Sequence, residues 1–189
     1  LMPLVHLPVQ SGSDKILELM NRKHTIKDYL YIFEKLKKIN SKIEFSSDFI
    51  IGYPREEEKD FKETLNFIKK IKFINSYSFL FSPRPGTVSS NLKLIDKDIL
   101  MKRLNKIQNQ LFENQKIMNR SLQNKTIKVL VENFTEDKKQ VFGKSNYMTP
   151  VIFSGTEEDI GKVVYVKILK NNRSTLYGEK IINTNKKVA

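Results

Sequence analysis

Cysteine is absent from the 189 residues, which excludes disulfide bonds and removes every thiolate ligand for a metal ion or cluster. Only two histidines occur, His6 and His24, so we predict no metal site and interpret both as structural or surface residues. No apolar run approaches the roughly 18 residues that a membrane-spanning helix needs, and residues 1–9 lack the features of a signal peptide. We therefore expect a cytoplasmic protein without membrane contact. Because the sequence begins with leucine inside an apparent strand, we also expect a part of a longer protein.

Positive charge is abundant, with 34 Lys and Arg against 21 Asp and Glu and a net charge of +13. Such an excess suggests nucleic-acid binding. The basic residues are spread along the whole chain without a single concentrated stripe, and the heavy use of Lys, Asn and Ile is also expected from biased base composition in the coding DNA. Net charge alone therefore supports RNA binding only weakly.

The first half alternates apolar strand patterns with helical patterns. A short helix is predicted to follow Ser13 or Asp14 and to end near Met20. The other predicted elements are strands at Met2–Val9, Ile43–Ile51 and Ser76–Phe81 and helices at Thr25–Ile39 and Glu56–Ile71. This order predicts parallel βαβ units. Three strands cannot close a barrel, so we expect the rest of the sheet upstream.

The second half begins with one long amphipathic helix from Asp96, whose apolar stripe we expect to dock on the α/β part. Five short strands follow, at Thr126–Glu132, Gln140–Ser145, Thr149–Phe153, Lys162–Lys170 and Ser174–Ile182. They predict a small antiparallel barrel of the OB type. The predicted domains are thus residues 1–95 (α/β), 96–122 (connecting helix) and 123–185 (all-β).

Three loops follow the predicted parallel strands: Gln10–Asp14, Gly52–Glu57 and Ser82–Thr87. Ligands of parallel α/β folds meet such loops, and glycine lets a backbone approach a ligand closely. The same residues also suit ordinary turns. Acids at Glu56, Glu57 and Glu58 are explained by the positive end of a helix dipole. Asp48 differs, because a charge inside a strand is costly unless it is paired.

The ordered motifs resemble those of radical-SAM methylthiotransferases. Three of them are Leu7–Ser13, Ser47–Pro54 and Ser82–Thr87, which are similar to the last three strand ends of that family's catalytic barrel. The segments that resemble its terminal TRAM domain are Val129–Glu132, Gly143–Asn146, Gly161–Lys162 and Leu176–Glu179.

The resemblance implies α/β followed by all-β architecture: the end of a TIM-like radical-SAM barrel, a linker helix and an OB-like TRAM barrel. It implies S-adenosylmethionine and two four-iron clusters (4Fe-4S) as cofactors of the full-length parent, with the cluster ligands outside this chain. The chain would have no catalytic residue of its own and would be inactive alone. The implied partners are the anticodon stem-loop of tRNA and the missing N-terminal part of the same enzyme, which we expect to be a monomer.

Five residues are implied as contacts of the cofactor. Gln10 and Ser13 would face the ribose and amino-acid part of S-adenosylmethionine, and the Ile50–Ile51 backbone would lie along its adenine. Asp48 would be a polar neighbour of the cofactor.

A second set is implied to bind the RNA substrate: Arg84, Lys125, Lys144, Asn146 and Arg173. Aromatic residues of the barrel have two interpretations, stacking on unpaired bases or filling the core. For Phe142 and Phe153 we favour the core, and Tyr147 stays open between the two.

One residue departs from the family pattern. Arg55 stands where these enzymes usually have glycine, after the second of the three strands. We expect arginine to restrict the turn to conformations that non-glycine residues tolerate. The loop then bends differently, or Arg55 reaches toward the RNA.

Two other functions stay open: a methylthiotransferase that acts on a ribosomal protein, and a stand-alone RNA-binding module. Relatives that modify a ribosomal protein usually have an acid in the Ser82–Thr87 loop, where this chain has Arg84, so the motif favours an enzyme acting on isopentenyl-adenosine in tRNA. A stand-alone RNA-binding module is the remaining alternative.

Overall fold

The computed structural model describes residues 2–181 and divides the chain into two compact units. The first unit is Val5–Asn114, and the second consists of the chain from Gln115 onward with the first few residues. The division falls inside the long helix. The ends of the predicted last strand and of the predicted last domain, residues 182–185, lie outside the described residues.

The predicted order of elements in the first unit is confirmed. Its strands are β1 (Leu4–His6), β2 (Glu44–Ser46), β3 (Asp48–Ile51) and β4 (Tyr77–Leu80). Its helices are α1 (Asp14–Leu19), α2 (Ile26–Ile39), α3 (Glu58–Ile71) and the part of the long α4 (Lys97–Ser121) that precedes Gln115. β1 is shorter than predicted, because prolines at 3 and 8 flank it and cannot donate to a strand ladder.

The predicted strand Ile43–Ile51 is divided in two at Ser47. The Ser47 hydroxyl accepts a hydrogen bond from the Val9 backbone N–H at 2.9 Å, and the Ser47 N–H donates to the Ser76 hydroxyl at 2.9 Å. β2 pairs with β1, whereas β3 pairs in parallel with β4. Gln10 extends the second sheet through a parallel bridge to Phe49. The prediction of parallel pairing is therefore confirmed for β3 and β4.

An aromatic core lies between this sheet and its helices. Tyr29 and Phe67 meet edge to face with ring centroids 5.3 Å apart, and Phe49 and Phe73 do the same at 5.3 Å. Edge-to-face contacts suit the ring quadrupoles. The Tyr29 hydroxyl also donates to the Leu7 carbonyl at 3.0 Å, which ties α2 to the chain just before the first loop.

A buried ion pair joins α4 to the loop after β3. Arg103 Nη1 lies 2.8 Å from Glu56 Oε1, and both side chains are buried. The other Glu56 oxygen accepts from the Gly52 N–H at 3.1 Å. The explanation of Glu56 by the helix dipole is wrong, because α3 begins only at Glu58 and the Glu56 carboxylate is held by specific partners.

The second unit is a closed five-stranded barrel, as predicted. Its strands are β5 (Thr126–Phe134), β6 (Val141–Ser145), β7 (Pro150–Ser154), β8 (Val163–Asn171) and β9 (Leu176–Lys180). They close in the order β5-β6-β7-β9-β8. The expectation of purely antiparallel pairing needs one correction, since β7 and β9 are parallel. An odd number of strands cannot alternate in direction around a closed ring, so one pair must be parallel.

Alternation along the strands separates the barrel core from its outer surface. The prediction that Phe153 is in the core is confirmed, because it is fully buried. Tyr147 is buried as well. The prediction for Phe142 is wrong: its neighbours Val141 and Gly143 are buried, so Phe142 points outward and is half-buried.

We predict that replacing Arg103 with methionine lowers the free energy of unfolding by about 3–5 kcal/mol, because the Glu56 carboxylate is left buried without its partner. The double variant Glu56→Gln/Arg103→Met should recover most of the loss. Urea unfolding followed by circular dichroism measures both. Glu58→Gln, which removes the exposed second partner of Arg103, is the control and should cost little. A single variant as stable as the wild type would contradict the prediction.

Candidate functional site

A pocket of about 540 Å³ opens at the carboxyl ends of β3 and β4. Four of the residues implied by the sequence line it, namely Gln10, Asp48, Ile50 and Arg84. All four belong to the first unit. The structure thus brings together side chains from the first loop, the β3 strand and the third loop.

The alternation of β3 determines what the pocket floor offers. Phe49 and Ile51 are buried in the core, whereas Asp48 and Ile50 face the open side of the sheet. On β4 their registered neighbours are Tyr77 and Phe79, which are 64% and 54% exposed. These two rings lie nearly parallel with centroids 6.4 Å apart. The floor therefore combines one carboxylate with apolar and aromatic surface.

The side chain of Ile51 does not reach the pocket. Its carbonyl accepts from the Phe81 N–H at 2.8 Å, and the Ile50 N–H donates to the Gln10 carbonyl at 2.9 Å. These bonds hold the backbone at the edge of the pocket. Gln10 itself has φ +74°, a left-handed conformation that is uncommon for glutamine and turns the chain out of the sheet into the first loop.

Asp48 has the partner that a charge within a strand requires. His6 Nε2 lies 3.5 Å from Asp48 Oδ2, and His6 Nδ1 is hydrogen-bonded to the Ser46 hydroxyl at 2.8 Å. The interpretation of His6 as a structural or surface residue missed this contact. The contact joins β1 to β3, which are far apart in sequence, so no local pattern indicates it.

Ser13 lies apart from the pocket. Its hydroxyl is buried and donates to Asp60 Oδ1 at 2.8 Å, while Lys15 Nζ lies 2.9 Å from the other Asp60 oxygen. Burial raises the pKa of Asp60, but hydrogen bonds from the Glu57 N–H, Lys15 and Ser13 outweigh it, so the pKa lies below its usual value. The contacts of Ser13 connect the first loop to the start of α3.

The glycines of the first two loops leave space that neighbouring protein atoms occupy. A Cβ added to Gly12 would lie 2.6 Å from Thr64 Cα, and one added to Gly52 would lie 2.0 Å from a methyl carbon of Leu100. Helices α3 and α4 therefore fill the space that these glycines leave. Of the two interpretations that the sequence leaves open, these contacts favour ordinary turns packed against protein.

Arg55 keeps the turn that glycine would favour. Its φ is +72°, in the left-handed region, and its side chain is exposed. The expectation that arginine would restrict the turn to ordinary non-glycine conformations is wrong. Two contacts hold the loop in this form. On one side Glu56 pairs with Arg103, and on the other the Tyr53 hydroxyl donates to the Leu19 carbonyl at 2.8 Å.

The other implied RNA-binding residues lie on the barrel unit. Lys125 is exposed just before β5, and Lys144 faces outward on β6. Asn146 occupies the β6–β7 turn, where its Oδ1 is buried and has no hydrogen-bond partner among residues 2–181. Arg173 is exposed in the β8–β9 turn, and its carbonyl accepts from Asn119 Nδ2 at 3.2 Å. The structure thus places Lys144 on a strand and the other three in or beside turns.

Two kinds of feature are absent from residues 2–181, the part of the chain that the structure describes. No group of three or more His, Asp or Glu side chains there is arranged to hold a metal ion. Within the same range, no helix has the length and apolar character needed to cross a membrane.

Known protein families match the two units separately. Residues 2–68 match the model of the Radical SAM superfamily, and residues 120–181 match the TRAM domain. Over all 189 residues the chain is 61% identical to the tRNA-2-methylthio-N(6)-dimethylallyladenosine synthase of Pelagibacter ubique strain HTCC1062, covering 42% of that protein. It is 44% identical over 181 residues to the synthase of the same name from Wolbachia pipientis wMel, covering 41%. The chain thus spans about two fifths of the length of these relatives.

A solved structure shares the fold. Coproporphyrinogen III oxidase (HemN) from Escherichia coli, a radical SAM enzyme, aligns with a TM-score of 0.51 and 13% identity. The alignment covers 96% of this chain and 46% of that one.

We predict that Arg55→Gly raises the free energy of unfolding by about 0.5–1 kcal/mol, because glycine adopts the left-handed conformation without steric cost. Arg55→Ala is the matched control: it removes the same side chain but keeps the strain, and it should change stability by less than about 0.5 kcal/mol. Urea unfolding compares the three proteins. Equal stability of the glycine and alanine variants would contradict the prediction.

We also predict that Asp60 contributes to loss of stability in acid. Because its folded pKa lies below the unfolded value of 3.8, its contribution is present above that value and disappears as pH falls through the folded pKa. Asp60→Asn should therefore be less stable than the wild type at neutral pH, and the gap should narrow below about pH 4. Urea midpoints measured from pH 7 to 3 test this. A gap that stays constant would exclude Asp60 as the cause.

Proposed function

We propose that this chain, which belongs to the radical-SAM methylthiotransferases, supplies part of the cofactor pocket and the RNA-binding barrel of an enzyme that modifies tRNA. The reaction adds a methylthio group to C2 of isopentenyl-adenosine beside the anticodon. The observation that supports the proposal most is the 61% identity over the whole chain to a relative named for this product. The name of the second relative is the same.

The first unit fits a role as one wall of the S-adenosylmethionine site. The pocket offers the Asp48 carboxylate and Gln10 for polar groups and the apolar side chains of Ile50 and Phe79 for a purine ring. Gln10, Asp48 and the Ile50–Ile51 backbone would contact the cofactor. Ser13, whose hydroxyl already donates to Asp60, would position the loop beside it.

The iron–sulfur clusters must be held elsewhere, because this chain has no cysteine. We propose two four-iron clusters in the full-length enzyme. When bound in the full-length enzyme, S-adenosylmethionine and a cluster would supply the radical chemistry at the adenine ring. The residues of this chain bind and orient the reactants and supply none of the redox chemistry.

The second unit would bind the anticodon stem-loop, and Arg84 in the third loop of the first unit would be a further contact of the RNA. Arg84, Lys125, Lys144 and Arg173 provide cations for phosphates, and Asn146 provides an amide for hydrogen bonds. We place the enzyme in the cytoplasm because its proposed substrate is tRNA, and we propose that it acts as a monomer. We also propose that the α/β domain ends at residue 95 and that the connecting helix ends at residue 122.

A chimera tests the proposed reaction. The matching 189 residues of the Pelagibacter relative are replaced by this chain, and the chimera is expressed in a host that lacks its own methylthiotransferase. We expect mass spectrometry of tRNA nucleosides to show 2-methylthio-isopentenyl-adenosine. In a second chimera, Asp48→Ala should lower the product strongly, while the surface change Lys42→Ala should not.

Two outcomes would contradict the proposal. One is a chimera that is stable and holds its clusters but leaves the tRNA unmodified. The other is a methylthio group on a ribosomal protein, with none on tRNA. The iron–sulfur absorbance band measures cluster content. A chimera that has misfolded and lost its clusters is therefore distinguished from one that holds them but is inactive.

A further inference from the structure

An apolar row crosses the outer surface of the barrel. Phe142 on β6 is registered with Ile152 on β7, and Ile152 is registered with Tyr177 on β9. On β8, Lys170 is the registered partner of Tyr177, and its Nζ lies 5.1 Å from the centre of that ring. We call Phe142, Ile152, Tyr177 and Lys170 the outer row. The residues on both sides of Phe142 and of Ile152 are buried, and so is Leu176 before Tyr177, which directs these three side chains outward. Lys170 follows a register shift in β8 and is itself exposed.

The outer row forms the floor of a groove at one end. Phe142 and Ile152 line it together with Phe134 and Pro150, and its volume is about 560 Å³. The β5–β6 turn, residues 135–140, borders the groove, and so does Thr175. A groove of this size accommodates a nucleotide. Its surface is mostly apolar, and contiguous apolar surface on a small domain marks a binding site more often than scattered side chains do.

Cations flank the apolar floor. Lys144 follows Phe142 by two residues on the same face of β6 and is registered with Pro150 in the groove. Lys170 stands at the other end of the outer row. Two acids, Glu136 and Asp137, also line the groove. The Asp137 carboxylate is engaged in its own turn, where it accepts from the Thr135 hydroxyl at 2.6 Å and from the Lys139 N–H at 3.2 Å.

Closure of the barrel limits the kinds of partner that can bind to it. All five strands are paired on both sides, so no strand edge is open for an added peptide strand. An aromatic floor between two lysines matches a single-stranded nucleic acid, whose bases stack on rings while its phosphates meet cations.

We propose that unpaired bases of the RNA substrate stack on Phe142 and Tyr177, with Lys144 and Lys170 on the flanking phosphates. The inference rests on the proposed function, because it takes tRNA as the substrate. It names the surface and the mode of contact: aromatic stacking on the outer row, in addition to the cationic side chains in the turns.

The chain itself tests the proposal. Binding of a fluorescent anticodon stem-loop is measured by anisotropy at low and at physiological salt. Phe142→Ala should weaken binding about tenfold by removing one stacking surface. Tyr165→Ala is the matched control, because Tyr165 is also an exposed barrel aromatic with a lysine beside its ring, Lys128 Nζ at 5.8 Å, but lies outside the outer row. It should change affinity less than twofold.

A fluorescence measurement is independent of affinity. The chain has no tryptophan, so Phe142→Trp introduces a single indole that keeps an aromatic ring in the groove. We expect this variant to bind RNA like the wild type and its emission to be quenched when the stem-loop is added. The emission of a Tyr165→Trp variant should change little. Circular dichroism establishes that each variant is folded.

The outcomes separate the two proposals. If the wild type binds the stem-loop but Phe142→Ala binds equally well and F142W emission is unchanged, the inference is wrong and the proposed function stands. If the wild type binds no tRNA even at low salt, the RNA-binding role is itself contradicted. If ribosomal protein changes the F142W emission and RNA does not, the groove is a protein-docking surface and the inference is wrong.

Discussion

The Glu56 carboxylate is the point at which the loop after β3, the start of α3 and the helix α4 are held together. Burial raises the pKa of Glu56, while the Gly52 N–H and Arg103 act in the opposite direction by stabilising the charged form. The guanidinium also lies 5.4 Å from the centre of the Phe61 ring, so it packs as well as pairs. Because the loop follows β3 directly, this contact fixes the end of the strand that carries Asp48 and Ile50. The pocket depends on it although Glu56 does not line the pocket.

The same constraint explains why the loop after β3 tolerates unfavourable local geometry. Arg55 adopts a left-handed conformation next to a buried ion pair whose partners lie 47 residues apart in sequence. Gly52, on the other side, must lack a side chain because Leu100 of α4 occupies the space. The backbone preference of a single residue such as Arg55 is overridden by the packing of α4, which contributes more to the free energy of folding.

Much of the fold follows from the sequence, because hydrophobic periodicity is local and survives in each segment. Element order and the five barrel strands could be predicted this way. Long-range features could not. The contact of Ser13 with Asp60 and the parallel pairing of β7 with β9 depend on which segments meet in space. Phe142 was misassigned for a related reason: its aromatic character suggested the core, whereas its buried neighbours Val141 and Gly143 require it to face outward.

The two units present chemistry on surfaces of different kinds. In the first, the sheet buries one face beneath helices and leaves Asp48, Ile50 and Phe79 on the other, so the pocket is made by strand alternation at an open sheet face. In the second, closure directs one set of side chains into the core and leaves only the outside for contact. Closure also removes the strand edges, so recognition there must use side chains. An outward aromatic flanked by lysines is the kind of side-chain surface on which an RNA base can stack without a backbone partner.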